Sequence, residues 1–166
     1  YVPKNMTTLK RLFHLFSFAF SSLLRLMTLL KLKPDVLFLV QPTLFCAPAA
    51  LLYCKLTGAK AVMHIQDFEV EAMFGLGLMT KGKSARIAKF IECWLMGRFD
   101  TVSTISYSMM EKVISKGVCE DKVIYFPNWS DTEFVTPAVD GSRLKAEWGF
   151  RPNDKIVLYS GNIGNK

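Results

Sequence analysis

The sequence has few of the residues from which metal sites and disulfide frameworks are built. It contains four cysteines and two histidines in 166 residues. The cysteines form no Cys-x-x-Cys pair and have no histidines at ligand spacing, so neither a zinc site nor a disulfide framework is predicted. We interpret all four as buried, reduced thiols of a cytosolic protein: Cys46, Cys54, Cys93 and Cys119.

Acidic residues are absent from the start of the chain. The formal net charge is +7 at pH 7, and every charged residue before Asp35 is basic, namely Lys4, Lys10, Arg11, Arg25, Lys31 and Lys33. No aromatic platform or recognition motif accompanies these charges, so we rank nucleic-acid binding low. The charge indicates either attraction to an anionic membrane surface or simple solvation.

A long uninterrupted apolar run is also missing. The stretch "LFHLFSFAFSSLL" between Arg11 and Arg25 is shorter than the roughly 18 apolar residues of a spanning helix, and it contains His14 and serines. Its apolar residues step by three and four, which predicts one amphipathic helix over residues 7–32, ended by Pro34. Two interpretations stay open: this helix contacts a membrane surface, or it packs on the sheet in the ordinary way.

Strands alternate with helices along the rest of the chain. The almost continuously apolar "DVLFLVQP" predicts a central strand over residues 35–41 that is covered on both faces. Further strands are predicted at "KAVMHIQ", "TVSTIS", "KVIYFP" and "KIVLYSG", with helices over residues 43–56, 84–99, 107–117 and 142–149. This alternation predicts an α/β fold, a Rossmann-like parallel sheet with helices on both faces.

Candidate chemistry lies where the strands end, because ligands of open α/β sheets bind at the carboxyl ends of strands. The loop "HIQDFEVEAMFGLG" carries His64, Gln66 and Asp67, and period-two alternation puts His64 and Gln66 on one side and Asp67 on the other. A histidine beside a carboxylate can orient a sugar hydroxyl or exchange its proton. Alternatively, His64 is a hydrogen-bonded core residue and Asp67 caps the next helical turn.

Three other strand ends carry polar residues. Ser106 is either the N-cap of the following helix or part of an anion site. Asn128 and Asp131 in "PNWSD" suit an Asx turn. Gly161, Gly164 and Lys166 in "SGNIGNK" provide backbone amides and a cation for a phosphate, although any tight turn uses glycines and the spacing is neither the dinucleotide fingerprint nor a P-loop.

Four stretches spread over nearly the whole chain carry a family resemblance. They are "FSFAFSSLL" ahead of "KPDVLFLVQP", then "HIQDFEVEAMFGLG", "VSTISYSMMEKVISKGVCEDKVIYFPNWSDTEFVTP" and "VLYSGNIGNK". In this order the sequence resembles the family-four retaining glycosyltransferases of the GT-B fold, most closely the branch of colanic-acid, capsule and O-antigen enzymes. The third stretch is the most specific of the four.

The resemblance implies two Rossmann-like domains that face each other across a cleft, one for the acceptor and one for the nucleotide sugar. Residues 1–137 then correspond to part of the acceptor domain, residues 138–154 to a linker and connecting helix, and residues 155–166 to the truncated start of the donor domain. It also implies that the chain is the central part of a longer protein and is inactive alone. No metal or cofactor is expected, since the nucleotide sugar is a substrate.

The resemblance also implies roles for the candidate residues. His64 and Asp67 are expected to be catalytic, and the cleft is expected to be lined by Gln66, Asn128 and Asp131. The donor phosphates are expected to be approached by Gly161, Gly164 and Lys166. Trp129 and Phe134 are expected to pack where the chain passes from the first domain to the second. Many relatives place a histidine directly before the aspartate, whereas Gln66 stands there in this sequence. This departure concerns His64, whereas Asp67 matches the pattern of the family.

The implied activity is transfer of a sugar, with retention, from a nucleotide sugar to a lipid-linked saccharide acceptor in exopolysaccharide, capsule or O-antigen synthesis. The implied location is cytoplasmic, peripheral at the inner face of the membrane through residues 7–32. Two alternatives stay open: a noncatalytic membrane- or partner-binding α/β module, and another Rossmann-like nucleotide enzyme.

Overall fold

A computed structural model of the protein describes residues 8–41, 44–68, 70–71, 82–134, 136 and 139–161. The chain forms two compact units, and the boundary between them falls between Pro127 and Asn128. The predicted domain limits at residues 137 and 154 stay a prediction.

The first unit begins with a long helix, α1, over Thr8–Thr28, followed by a 3-10 turn at Leu30–Leu32. These bounds confirm the helix predicted from the spacing of the apolar residues. Pro34 follows at once, and proline has no N–H with which to continue a helix. Among the described residues, no helix has the length and hydropathy needed to cross a membrane.

Three strand–helix units follow α1 in the order that the sequence predicts. Each helix bound lies within a few residues of its predicted bound; the elements are β1 (Val36–Gln41), α2 (Ala47–Thr57, after a 3-10 turn at Leu44–Cys46), β2 (Lys60–Ile65), α3 (Lys83–Met96), β3 (Thr101–Thr104), α4 (Tyr107–Ser115) and β4 (Val123–Tyr125, after a 3-10 turn at Glu120–Lys122). Gly58 and Gly117 adopt positive φ angles of 82° and 94° after α2 and α4, which suits glycine at a helix end.

The four strands form one parallel sheet in the order β1-β2-β3-β4, which confirms the predicted α/β class. Each strand lies beside the next one in the sequence, so right-handed crossovers carry the connecting helices to the same face. The core lies on that face, where strand residues pack with helix residues; its fully buried members include Met63, Ile65, Met96, Phe99, Val102 and Val113.

The opposite face of β1 differs from its prediction. Val36, Phe38 and Val40 are 53%, 49% and 44% exposed. The expectation of a central strand covered on both faces is therefore wrong for the described residues. The physical reason is that the core packs on the face of β1 that carries Leu37 and Leu39, whereas on the opposite face Phe38 meets the rings of His64 and Phe126.

The burial predicted for the cysteines is only partly correct. All four are free thiols, and Cys46 and Cys54 are buried. Cys93 is partly exposed and Cys119 is exposed. Cys119 immediately precedes the 3-10 turn at Glu120–Lys122, a surface connection with no buried residue, so its side chain has no core to enter.

Among its described residues, the second unit contains one short helix, α5, over Ser142–Glu147. The strand predicted at "KIVLYSG" is absent, since residues 155–160 have no assigned secondary structure. A strand is defined by hydrogen bonds to a neighbouring strand, and none of the described residues pairs with this segment. Val157 in its middle is 98% exposed.

Candidate functional site

The parallel sheet brings the ends of β2 and β3 to the same edge of the first unit. His64 and Ile65 end β2, and Gln66 and Asp67 follow them directly. The register pairs His64 with Ser103 of β3. The predicted cluster of His64, Gln66 and Asp67 therefore lies at the carboxyl edge, where α/β folds bind ligands.

His64 is a buried residue with defined partners. Its side chain is 4% exposed, and its Nδ1 lies 2.9 Å from the Ser103 Oγ. The ring stacks on Phe38 and meets the edge of Phe126, with both centroid distances 5.5 Å. His64 therefore lies on the open face of the sheet between two aromatic rings.

The hydrogen bonds around His64 select one tautomer of its ring. The Ser103 hydroxyl donates to the Met63 carbonyl at 3.4 Å, so its oxygen is available to accept a hydrogen bond from Nδ1–H of His64. The ring Nε2 then accepts from the Gln66 amide, 3.4 Å away. This contact confirms that His64 and Gln66 share one side of the strand.

The environment of His64 also affects its charge. Burial lowers the pKa of the imidazole below its usual range, because an apolar site disfavours the charged form. A neutral, doubly hydrogen-bonded ring fits the interpretation of His64 as a structural residue. A neutral ring can still accept a proton, so its catalytic role stays a prediction.

Asp67 is exposed at the carboxyl edge, and the chain on both sides of it is buried. Ile65 before it and Phe68 after it are 0% and 8% exposed. Only Gln66 and Asp67 project from this short connection. Asp67 is thus a carboxylate at the strand end with solvent access, which is what a group that meets a bound sugar requires.

The hydroxyl of Ser106 caps α4. Its Oγ accepts a hydrogen bond from the Met109 N–H at 3.3 Å, and the Ser108 Oγ lies 3.1 Å away. The predicted N-cap is confirmed.

Asn128 and Asp131 belong to the second unit, and both are exposed. Asp131 Oδ1 accepts from the backbone N–H groups of Glu133 and Phe134 at 3.0 Å each, which confirms the Asx turn. Trp129 and Phe134 are 83% and 84% exposed. Their packing where the chain passes from the first domain to the second stays a prediction.

The predicted phosphate loop is described only in part. A Cβ added to Gly161 would lie 2.9 Å from the hydroxyl of Tyr159, so a larger residue there requires Tyr159 to move. Gly164 and Lys166 lie outside the described residues.

Two residues at this edge were missed by reasoning from the sequence. Ser103 is the partner of His64, and the signal for it was its place in the strand next to β2. Gln41 ends β1 and is 1% exposed, and neither its Nε2 nor its Oε1 has a hydrogen-bond partner in the described part of the chain. No group of three or more metal-ligating side chains occurs among the described residues.

Comparison with known proteins agrees with this architecture. Residues 3–129 match the glycosyl transferase 4-like domain. The chain is also 50% identical, over 171 aligned residues, to a protein of Escherichia coli (strain K12) described as a putative colanic acid biosynthesis glycosyl transferase, WcaI. The alignment covers 100% of this chain and 42% of that relative, so the chain spans less than half of the relative's length.

Proposed function

The chain belongs to the glycosyl transferase 4-like family, and from this premise we propose that the full-length protein transfers a sugar from a nucleotide-sugar donor to a saccharide acceptor. The family match carries the proposal, because the matched residues 3–129 include every described residue of the first unit, among them the strand end that presents Asp67. The 50% identity to the Escherichia coli relative supports the same reaction class.

In this proposal the strand end after β2 meets the acceptor. Asp67 orients the acceptor hydroxyl, with Gln66 beside it and His64 behind it. The donor phosphate helps to deprotonate that hydroxyl, and the anomeric configuration is retained. Backbone amides near Gly161 and Gly164, together with Lys166, stabilise the charge that develops on the leaving diphosphate. Asn128 and Asp131 complete the acceptor side of a GT-B cleft.

We propose that the acceptor is a lipid-linked saccharide of exopolysaccharide synthesis. The support is the relative, whose description refers to colanic acid biosynthesis. A lipid-linked acceptor requires the enzyme to work at the inner face of the cytoplasmic membrane. The proposal therefore includes peripheral contact with that membrane through residues 7–32.

The exposed side of α1 supports the membrane contact. Phe13, Phe16, Phe20 and Leu24 repeat at helical spacing, and each is more than half exposed. Several of them line one shallow apolar groove, formed by Leu12, Phe13, Phe16, Ser17 and Phe20.

Of the other sides of α1, one is packed and one is polar and exposed. The Tyr53 hydroxyl of α2 donates to the Leu29 carbonyl just after α1 at 2.8 Å, and Ser22 contacts Cys46, so one side packs on the first unit. Lys10 and Arg25 are exposed on the polar side. An exposed apolar face beside basic side chains is the pattern of helices that lie in an anionic membrane surface.

Activity of the full-length protein tests the proposed reaction. Membranes that contain lipid-linked saccharides are incubated with a panel of nucleotide sugars, and transfer is measured for the wild type and for Asp67→Asn. We expect Asp67→Asn to lower kcat by about a hundredfold or more, because it removes a carboxylate at the reacting hydroxyl. Asp35→Asn, at an exposed carboxylate before β1, is the matched control and keeps wild-type activity.

Two outcomes contradict separate parts of this proposal. If the folded wild type neither transfers nor hydrolyses any nucleotide sugar, the noncatalytic α/β module becomes the better explanation. If Asp67→Asn retains full activity while the wild type is active, the reaction class holds and the assignment of Asp67 is wrong.

A further inference from the structure

Lys112 of α4 and Lys116, the residue directly after α4, contact the segment that follows β2. The Nζ atoms of Lys112 and Lys116 lie 4.9 and 5.0 Å from the centroid of the Phe68 ring. Both lysines also form ion pairs with Glu71, and the distance from Lys116 Nζ to Glu71 Oε1 is 3.2 Å. The segment is therefore held by cation–π contacts at Phe68 and by charge pairs at Glu71.

Lys116 extends these contacts to a third element. Its Nζ lies 2.5 Å from Oε2 of Glu92 in α3. The side chains of Glu92 and Lys116 are only 1% and 12% exposed, and Glu92 Oε1 has no hydrogen-bond partner among the described residues. A carboxylate buried so deeply is tolerated only while a cation compensates it. Lys116, at the end of α4, therefore connects that helix both to the segment after β2 and to α3.

The charges in this cluster reinforce each other. Burial acts to lower the pKa of Lys116, but the hydrogen bonds and charges of Glu92 and Glu71 outweigh it and leave the pKa raised. Burial likewise acts to raise the pKa of Glu71, and Lys112 and Lys116 outweigh it and leave that pKa lowered. Lys116 and Glu71 are therefore both ionised at neutral pH.

These contacts of Lys112 and Lys116 lie next to the proposed acceptor site. Only Gln66 and Asp67 separate Ile65, the last residue of β2, from Phe68. The sheet fixes one end of this connection, and the contacts of Phe68 and Glu71 with α4 fix the other. A connection of two residues held at both ends leaves little freedom for the backbone that carries the Asp67 carboxylate.

We propose that Lys116 is a positioning residue for Asp67, acting through Phe68 and Glu71. This inference rests on the proposed function, because it concerns where Asp67 stands relative to the acceptor. Without the ammonium group, Glu92 loses its only described partner and Glu71 keeps only Lys112. Phe68 then loses one of its two cations, and the backbone at Asp67 gains freedom. Displacement of a reacting group by about 1 Å can cost a hundredfold in rate.

The test uses the full-length protein with Lys116→Met and Lys116→Arg. We expect Lys116→Met to lower kcat at least tenfold at a temperature where the variant is fully folded, with the KM for the nucleotide sugar changed less than about twofold. Lys116→Arg keeps the charge and is expected to restore most of kcat. Lys60→Met, at an exposed ion pair with Asp100 at the other end of β2, is the matched control and leaves kcat unchanged.

A double variant separates positioning from stability. If Lys116 acts through Asp67, then Lys116→Met added to Asp67→Asn causes little further loss of kcat. Independent losses that multiply overturn the proposal, and so does a loss of activity that only follows the unfolded fraction measured by circular dichroism. If Asp67→Asn alone is fully active, the assignment of Asp67 to the acceptor site is wrong. This outcome differs from failure of the positioning proposal alone, because any effect of Lys116→Met then has no carboxylate to act through.

Discussion

Gln41 is the residue whose burial is hardest to reconcile with its chemistry. Its side chain is 1% exposed, yet neither amide atom has a hydrogen-bond partner among the described residues. An amide desolvated without a partner destabilises a protein by about 1–3 kcal/mol. The buried Gln41 amide at the carboxyl edge of the sheet therefore lowers the stability of the fold, whereas an apolar side chain of the same size would not.

We therefore predict that Gln41→Leu raises the free energy of unfolding by about 1–2 kcal/mol, because it removes an unpaired amide and keeps the volume. The measurement is urea unfolding of the full-length protein followed by fluorescence. Gln41→Glu is the opposing control and is expected to destabilise, since it buries an unpaired charge. Equal stability of both variants and the wild type would show that Gln41 is solvated, contrary to the structure.

At the same scale, His64 shows which features of the candidate site can be predicted from the sequence. Its position at a strand end and its shared side with Gln66 were predictable from alternation along β2. Its partner Ser103 and its stacking on Phe38 were not, because they depend on which strands become neighbours. The Asx turn of Asp131 and the cap of Ser106 were predictable, since both hydrogen bonds stay within a few residues.

At the scale of elements, Asp100 joins β2 to β3. Its carboxylate accepts from the Ala61 N–H at 2.9 Å and from the Lys60 Nζ at 3.0 Å. The hydrogen bond from Ala61 is the main reason that the pKa of Asp100 is lowered, and the Lys60 ammonium adds to it. The backbone of Asp100 also donates to the Ala61 carbonyl at 2.9 Å, so one residue closes the β2–β3 pairing at its amino end.

The lowered pKa of Asp100 makes the hydrogen bonds at the amino end of the β2–β3 pairing sensitive to acid. A carboxylate with a lower pKa in the folded than in the unfolded state binds fewer protons when folded, so stability rises with pH. The contribution is complete above the unfolded pKa of about 3.9 and is lost as pH falls through the lower folded value. We predict that Asp100→Ala lowers the free energy of unfolding by about 1 kcal/mol at pH 7 and that the difference shrinks below pH 4.

Chemical unfolding of both proteins at several pH values between about 2.5 and 7 measures this difference. Asp35→Ala, which removes an exposed carboxylate ahead of β1, is the control for the loss of one surface charge. A difference between Asp100→Ala and the wild type that stays constant down to the lowest pH would contradict the linkage.

The elements that the sequence predicted correctly are those that one chain segment determines by itself. The periodicity of α1, the cap of α4 and the glycines after α2 and α4 are local signals. Two predictions failed because they depend on neighbours. The apolar run of β1 does not reveal that one of its faces is half exposed, and residues 155–160 have strand composition but no described partner strand.

At the scale of the whole molecule, the described chain exposes apolar surfaces and aligns with less than half of a longer relative. The chain spans 42% of the length of the Escherichia coli protein to which it is 50% identical. The apolar side of α1 and the open face of β1 are both half exposed in the described chain. They differ in their charge environment, because only α1 lies in the stretch whose charged residues are all basic.

We predict that the full-length protein binds anionic membranes through α1. It is expected to sediment with vesicles that contain phosphatidylglycerol and not with pure phosphatidylcholine vesicles, and added salt is expected to weaken the binding by screening the basic residues. The triple variant Phe13→Ser, Phe16→Ser and Phe20→Ser is expected to lower partitioning at least tenfold, because each buried phenylalanine contributes about 1.5–3 kcal/mol to insertion. Phe90→Ser on α3 is the matched control, since Phe90 is 69% exposed and lies outside the basic segment. Unchanged partitioning of the triple variant would contradict the membrane contact, and circular dichroism of that variant checks that it stays folded after losing the contact between the Phe16 and Phe45 rings.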